Sequence, residues 1–254
     1  MTQQEQTKKI TLSYLLITFA IMGLTWGGIS IAQQYGYLKN NSTMFYPLYI
    51  LGGASTTIAS FISLTRAGVS PFEWLKNVFG IKQKPIHYFV VLFLLCSYIG
   101  TGLLTKNFKL AMPLVYLFLY TFTSIMEGGL EEAGWRYILQ PNLEKMMPFS
   151  LATLLTSAIW GLWHVPLFFM AGTSQQNMNF GAFFLLLISF SFSLAVIRKL
   201  TKSVWLCVLF HAALNAACTV FAVELNSINT VIFSLSMVLI SLSLLKIEIL
   251  HYKE

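Results

Sequence analysis

The sequence contains no aspartate, because all nine of its acidic residues are glutamate. This absence excludes chemistry that needs an aspartate, including the paired-aspartate proteases of the GxGD type. Cysteine is almost as rare: Cys96, Cys207 and Cys218 all lie in apolar runs, and no two of them form a CxxC pair. This pattern argues against a disulfide framework and against a thiolate metal site, and we expect the three cysteines to be small buried residues.

Charged residues are also scarce, at 10% of the 254 residues, whereas 56% are hydrophobic and the mean hydropathy is +0.70. A soluble domain usually has about a quarter of its residues charged, so a water-soluble globule is excluded. The net charge of +7 is distributed between the apolar runs. We therefore expect no nucleic-acid partner and attribute the basic excess to membrane topology.

Long apolar runs separate the few charged residues. A transmembrane helix needs about 20 apolar residues, and runs of that length occur eight times. They lie near residues 10–32, 44–65, 86–104, 113–140, 149–170, 180–197, 204–222 and 228–250. This pattern predicts an all-α fold, a polytopic membrane bundle of about eight transmembrane helices, with residues 1–254 forming a single membrane domain.

The basic residues alternate between the loops. Thirteen of the sixteen would lie on one side of the membrane, and only Lys39, Lys106 and Lys109 on the other. By the positive-inside rule we expect a multi-pass protein of the cell membrane with both termini in the cytoplasm. The mixed aromatic and basic stretch at 70–83 is either an amphipathic interfacial segment or an ordinary loop.

Ionisable residues occur inside three of the apolar runs, where each costs about 2.5–3.5 kcal/mol to insert. The fourth run carries Glu131, Glu132 and Arg136, the fifth carries His164, and the seventh carries His211 with Asn215. Because so many polar groups are too costly to face lipid, we expect them to face one another or water inside the bundle.

Helical spacing separates the roles of the two adjacent glutamates. Glu132 and Arg136 are four residues apart and suit an ion pair with the acid first. Glu131 is rotated by about 100° from Glu132 and has no partner on its own helix. Since two neighbouring carboxylates cannot both ionise cheaply at low dielectric, we predict that Glu131 is the general base. The alternative is a structural ion-pair network of all three side chains.

His211 and Asn215 are also four apart and therefore project from one helix face. Their imidazole and amide groups are donors that can stabilise an oxyanion. His164 follows Trp160, whose ring we expect to form an aromatic wall, and precedes Pro166, which loosens the helix by removing a backbone donor. Each histidine taken alone could equally be a satisfied core residue.

The ordered set of EEAGWR at 131–136, WGLWH at 160–164 and HAALN at 211–215 resembles the CPBP family of intramembrane endopeptidases. That family includes the type II CAAX prenyl proteases and the bacterial proteins described as bacteriocin-processing or self-immunity proteases. Its patterns are EExxxR, FxxxH and HxxxN or HxxxD. The sequence departs from them only at Trp160, where the family usually has phenylalanine. We place the family core at about 113–222.

The resemblance implies hydrolysis of peptide bonds in membrane-associated peptides or proteins. Glu131 and His164 would activate a water, while His211 and Asn215 hold the oxyanion; Glu132, Arg136 and Trp160 would support them. The family has been called both a glutamate protease and a metalloprotease. We favour a mechanism without a cofactor, since HExxH is absent and Asn215 is a poor zinc ligand. A zinc-dependent alternative would use Glu131, His164 and His211.

Two other functional classes stay open. A bacteriocin self-immunity protein or another peptide-binding membrane protein could use the polar cluster only to hold its helices together. A transporter could use the same residues as a proton relay. A short membrane chain with few cysteines suggests to us a bacterial source, and the expected partners are the lipid bilayer and a membrane-associated peptide or protein.

Overall fold

The computed structural model describes residues 2–40, 42–225 and 228–251, with side chains up to residue 247. Lys253, one of the basic residues used above to assign topology, lies outside the described residues. The described part is almost entirely helical, which confirms the all-α membrane bundle.

Within the described residues, the first half of the chain forms six helices. They are α1 (Gln3–Met22), α2 (Gly28–Gln34), α3 (Phe45–Gly53), α4 (Ser55–Arg66), α5 (Pro71–Val78) and α6 (Pro85–Leu104). A π-helical turn, Gly23–Gly27, joins α1 to α2 without interrupting the rod. The chain bends by 50° between α3 and α4.

The second half contains the predicted family core. Its helices are α7 (Val115–Glu127), α8 (Glu132–Gly134), α9 (Gln140–Glu144), α10 (Phe149–His164), α11 (Phe180–Thr201), α12 (Val204–Val220) and α13 (Ile228–His251). Two short strands, β1 (Phe108–Leu110) and β2 (Phe221–Val223), pair antiparallel with Phe108 opposite Val223. The sequence analysis missed this pair, because three-residue strands carry no usable alternation.

All eight apolar runs contain helix, but fewer than eight qualify as simple spans. Within the described residues, five helices are long and apolar enough to cross a membrane, and six if the bent pair α3–α4 counts as one span. The helix α12 has only 17 residues. The run predicted at 113–140 is broken into shorter elements, so it does not form one continuous helix.

Helix ends follow local rules. Ser70, Asn179 and Ser203 each accept a backbone N–H at the start of a helix, and prolines begin α5 and α6. The segment at 70–83 contains α5, whose Trp74 and Val78 are buried against the bundle. It is therefore a packed short helix and not simply a loop.

Burial of the cysteines is mixed. Cys207 is buried and Cys218 is partly buried, but Cys96 is exposed on α6. The expectation that all three are buried is wrong for Cys96, because a lipid-facing position also accepts a small apolar side chain.

The break in the fourth run positions the polar residues. The helix α7 ends at Glu127, a 3-10 turn spans Gly129–Glu131, and a π-helical turn, Trp135–Leu139, joins α8 to α9. A side chain at Gly129 would approach the backbone oxygen of Val208 in α12 to 2.8 Å. Gly129 thus permits the close helix approach that small residues allow in membrane bundles.

Candidate active site

Glu131 is the last residue of the 3-10 turn and lies almost fully buried, with 8% of its surface exposed. Its Oε2 accepts hydrogen bonds from the indole Nε1 of Trp160 at 2.9 Å and of Trp135 at 3.3 Å. Both described bonds end on Oε2, which leaves Oε1 available to a water molecule. The carboxylate is therefore held by donors that carry no charge.

Glu132 makes the ion pair that the spacing predicted. Its Oε2 lies 3.0 Å from Nε of Arg136, and both side chains are completely buried. Its other oxygen, Oε1, lies 2.8 Å from Nδ1 of His211. One buried carboxylate thus joins the first motif to the third.

Arg136 is bound on three sides. Besides the bond to Glu132, its Nη1 donates to Oε1 of Gln140 at 3.3 Å and its Nη2 donates to Oγ of Ser191 at 2.9 Å. Its guanidinium carbon lies 5.9 Å from the centre of the Trp160 ring, close enough for a cation–π contact. The buried charge is therefore paired and hydrogen-bonded, as burial requires.

His164 is the last residue of α10, and Pro166, which lacks a backbone donor, lies in the 3-10 turn Val165–Phe169 that follows. Its Nδ1 lies 2.8 Å from the backbone oxygen of Trp160. A carbonyl oxygen only accepts, so Nδ1 carries the proton in this contact. The Nε2 of neutral His164 is then an acceptor, which suits a group that takes a proton from water.

His211 and Asn215 share one face of α12, next to Gly128. A methyl group placed on Gly128 would lie 2.3 Å from Nδ2 of Asn215 and 3.2 Å from Nε2 of His211. The missing side chain at Gly128 therefore leaves space for both groups to approach the chain just before Glu131. His211 is buried, and Asn215 is partly buried.

Trp160 is central to this arrangement. Its ring centre lies 5.7 Å from that of His164 and 5.4 Å from that of His211, and the ring plane is steeply inclined to both. Because Trp160 also donates to Glu131, one side chain touches a residue from each of the three motifs. The structure brings Glu131, Glu132, Arg136, His164, His211 and Asn215 into one cluster, although their catalytic roles stay predictions.

Sequence reasoning missed Trp135, Gln140 and Ser191, and it described Trp160 only as an aromatic wall. Trp135 follows Glu131 by four residues, so the spacing that identified the Glu132–Arg136 pair could also have found this donor. Ser191 approaches from α11, a helix that carries no motif, and no local signal in the sequence points to it.

The fold and site define a polytopic membrane protein with a buried glutamate–histidine cluster, and comparison with known proteins places it more narrowly. Residues 112–217 match a family model described as "Type II CAAX prenyl endopeptidase Rce1-like". A curated protein of Methanococcus maripaludis, CAAX prenyl protease 2, is 29% identical over 101 residues, which are 37% of this chain and 37% of that protein. The chain thus spans little more than a third of that relative. The matched residues 112–217 contain all three motifs, so this part of the chain is similar to the Rce1-like proteases.

Proposed function

We propose that this chain is an intramembrane endopeptidase that hydrolyses peptide bonds in membrane-associated peptides or proteins. The observation that carries the proposal is the meeting of the three motifs around Trp160, with Glu131 bonded to the indole and the rings of His164 and His211 beside it. The family match supports the same class of reaction.

In the proposed reaction, Glu131 takes a proton from a water molecule near its Oε1. The water oxygen then bonds to the carbonyl carbon of the scissile peptide, and the carbonyl oxygen becomes an oxyanion. The same proton passes to the peptide nitrogen, after which the carbon–nitrogen bond breaks and an amine leaves. His164 would orient the water through Nε2, because its Nδ1 is bound to the Trp160 carbonyl oxygen.

Asn215 and His211 would stabilise the oxyanion. The amide Nδ2 of Asn215 donates in any state, whereas Nε2 of His211 donates only when the imidazole carries both protons. Glu132 supports that charged form, since its carboxylate accepts from Nδ1 at 2.8 Å. The role of Glu132 is therefore to position and charge-stabilise His211, and we assign it no contact with substrate.

The zinc-dependent alternative fits the residues less well as they lie. Within the part of the chain that the structure describes, no three histidine, cysteine or glutamate side chains converge into a group that could hold a metal ion. Oε2 of Glu131 is bound by two indole donors, and Trp160 lies against both histidine rings. We therefore propose a mechanism without a metal, which is tested by measuring the zinc content and chelator sensitivity of the active protein.

The deciding experiment replaces Glu131 by glutamine, which keeps the shape and removes the base. Membrane peptides from cells expressing the wild type, Glu131→Gln or Glu127→Gln are compared by mass spectrometry. Glu127 is a matched control, because it lies four residues earlier, at the end of α7, and is exposed. We expect Glu131→Gln to lose cleavage by at least about a hundredfold, the typical contribution of a general base.

The outcomes separate the functional classes. Loss of cleavage products in Glu131→Gln at unchanged expression supports the protease. Undiminished cleavage in that variant contradicts it, and a cellular phenotype that persists without any cleavage would favour a peptide-binding immunity protein.

A further inference from the structure

A cleft of about 270 Å³ is lined by residues that do not belong to the candidate active site, although one of them, Arg198, bonds to the backbone of Arg136. The helix α9 with the residue that follows it, and the C-terminal end of α11 with the residue that follows it, form its walls. Its lining residues are Pro141, Glu144, Lys145, Arg198, Lys199 and Lys202. By the positive-inside rule, the loops at this end are those we predict to face the cytoplasm.

The charge of this cleft is not balanced. Four lining side chains are basic and only Glu144 is acidic, which gives a net charge of +3. Glu144 is already bound, since its Oε2 lies 2.6 Å from Nζ of Lys199 and its Oε1 accepts from Gln140. It therefore cannot neutralise Lys145, Arg198 and Lys202 as well.

Arg198 is held in place by a bond that leaves most of its guanidinium for another partner. Its Nε donates to the backbone oxygen of Arg136 at 2.9 Å, and among the hydrogen bonds described for it the two terminal nitrogens take no part. A guanidinium fixed in this way presents a planar pair of donors, the geometry that suits phosphate oxygens.

Lys202 has a strained backbone. Its φ of 58° lies in the left-handed region, at the end of α11, where glycine is the usual residue. Lysine at this position is costly, and such outliers cluster at functional sites. The pKa of Lys202 is lowered by partial burial and by the charges of Lys199 and Arg198, and Glu144 raises it by a smaller amount.

We propose that this cleft binds a phosphate group. Phosphate supplies the missing negative charge and several acceptor oxygens at once, so it could bind Arg198 and the lysines together. Two sources share this chemistry: the headgroup of an anionic phospholipid and free inorganic phosphate. The inference does not depend on the proposed protease activity.

The test uses substitutions that separate binding from backbone strain. Lys202→Gly removes a cation from the cleft and also removes the backbone strain of a non-glycine residue with positive φ. Lys106→Gly is the matched control, since Lys106 has nearly the same φ of 59° but lies after α6, outside the cleft. We expect both variants to raise the unfolding temperature in phosphate-free buffer, because glycine accepts this conformation without strain.

Binding is then measured in two arms. Inorganic phosphate is titrated into the detergent-solubilised full chain, with thermal stability as the readout. In the second arm, native mass spectrometry compares retention of phosphatidylglycerol with retention of phosphatidylcholine. We expect Lys202→Gly to weaken binding of whichever probe binds about fivefold, and the double variant Lys145→Gln, Lys202→Gly to weaken it about thirtyfold. Lys106→Gly should leave binding unchanged.

Retention of phosphatidylglycerol that depends on Lys145 and Lys202 assigns the cleft to a lipid headgroup. Stabilisation by inorganic phosphate alone, with the same dependence, assigns it to soluble phosphate. The proposal is overturned if neither probe binds the wild type, or if Lys106→Gly weakens binding as much as Lys202→Gly.

Discussion

Trp160 and Glu131 lie 29 positions apart in the chain and meet inside the bundle, where the indole Nε1 donates to Oε2 of the carboxylate at 2.9 Å. The tryptophan stands where the CPBP pattern usually has phenylalanine, a residue without a donor. This chain therefore adds a polar contact to the aromatic wall. Together with the bond from Trp135, this contact fixes the direction of the carboxylate.

Trp160→Phe tests the value of this bond, because it restores the usual family residue and keeps a ring. A hydrogen bond to a charged group contributes about 1.5–3 kcal/mol, so we expect peptide cleavage to fall about tenfold to a hundredfold at neutral pH. The acid limb of the pH–rate profile should move to higher pH, since the charged carboxylate loses a donor. Unchanged kinetics and an unchanged profile would show that Trp135 alone suffices.

Part of the site can be predicted from the spacing of residues that are close together in the sequence. The Glu132–Arg136 pair was predicted and is present, because a four-residue separation survives the irregular turns from α8 to α9. Pro166 was expected only to loosen the helix within the run at 149–170, and α10 ends two residues before it. The ion pair is local in the sequence, and so the sequence alone identifies it.

Other features depend on contacts between distant segments. The break at Gly128 arises where α12 packs against the glycine pair, and hydropathy alone cannot distinguish a broken apolar run from a continuous one. The hydrogen bond from Arg136 to Ser191 joins two residues that lie 55 positions apart in the chain. Serine is common in such helices, and its spacing carries no information on which one faces an arginine.

The tautomer of His164 is a second prediction. Because Nδ1 donates to the Trp160 carbonyl oxygen, neutral His164 should carry its proton on Nδ1 and leave Nε2 bare. Nitrogen-15 NMR of histidine-labelled protein can resolve this, since the chain has only four histidines and His164→Gln identifies the signal. A signal from His164 with the proton on Nε2 would contradict its proposed role in orienting water.

Gly128→Ala is expected to damage the oxyanion site without unfolding the protein. The added methyl group would lie 2.3 Å from Nδ2 of Asn215 and displace that amide. Removing one oxyanion donor typically lowers kcat about a hundredfold or more, and we expect a loss of this size with little change in KM.

Gly100→Ala is the control for this substitution, because a methyl group at Gly100 in α6 would meet no atom within 4 Å. We expect it to keep full activity. Equal activity of the wild type and Gly128→Ala would mean that Asn215 does not act from the position it occupies beside Gly128.

The ion pairs Lys199–Glu144 and Glu132–Arg136 should contribute differently to stability. We expect the longer pair, Glu132–Arg136, to contribute more than the shorter one. Lys199 and Glu144 lie 2.6 Å apart but the lysine side chain is 42% exposed, whereas Glu132 and Arg136 lie 3.0 Å apart and are fully buried. Water already solvates the exposed pair, so Lys199→Met should cost less than about 1 kcal/mol of unfolding free energy.

Arg136→Met should instead cost about 3 kcal/mol or more, because it leaves the Glu132 carboxylate buried without its cation and removes the donors to Gln140 and Ser191. Unfolding in detergent, followed by tryptophan fluorescence or by loss of helical circular dichroism, measures both variants under the same conditions. Arg136→Lys should recover only part of the loss, since an ammonium group cannot reach all three partners of the guanidinium fork. If Lys199→Met proves as destabilising as Arg136→Met, burial does not make the Glu132–Arg136 pair more important for stability than the exposed pair. The assignment of Glu132 as a support for His211 then loses its energetic basis.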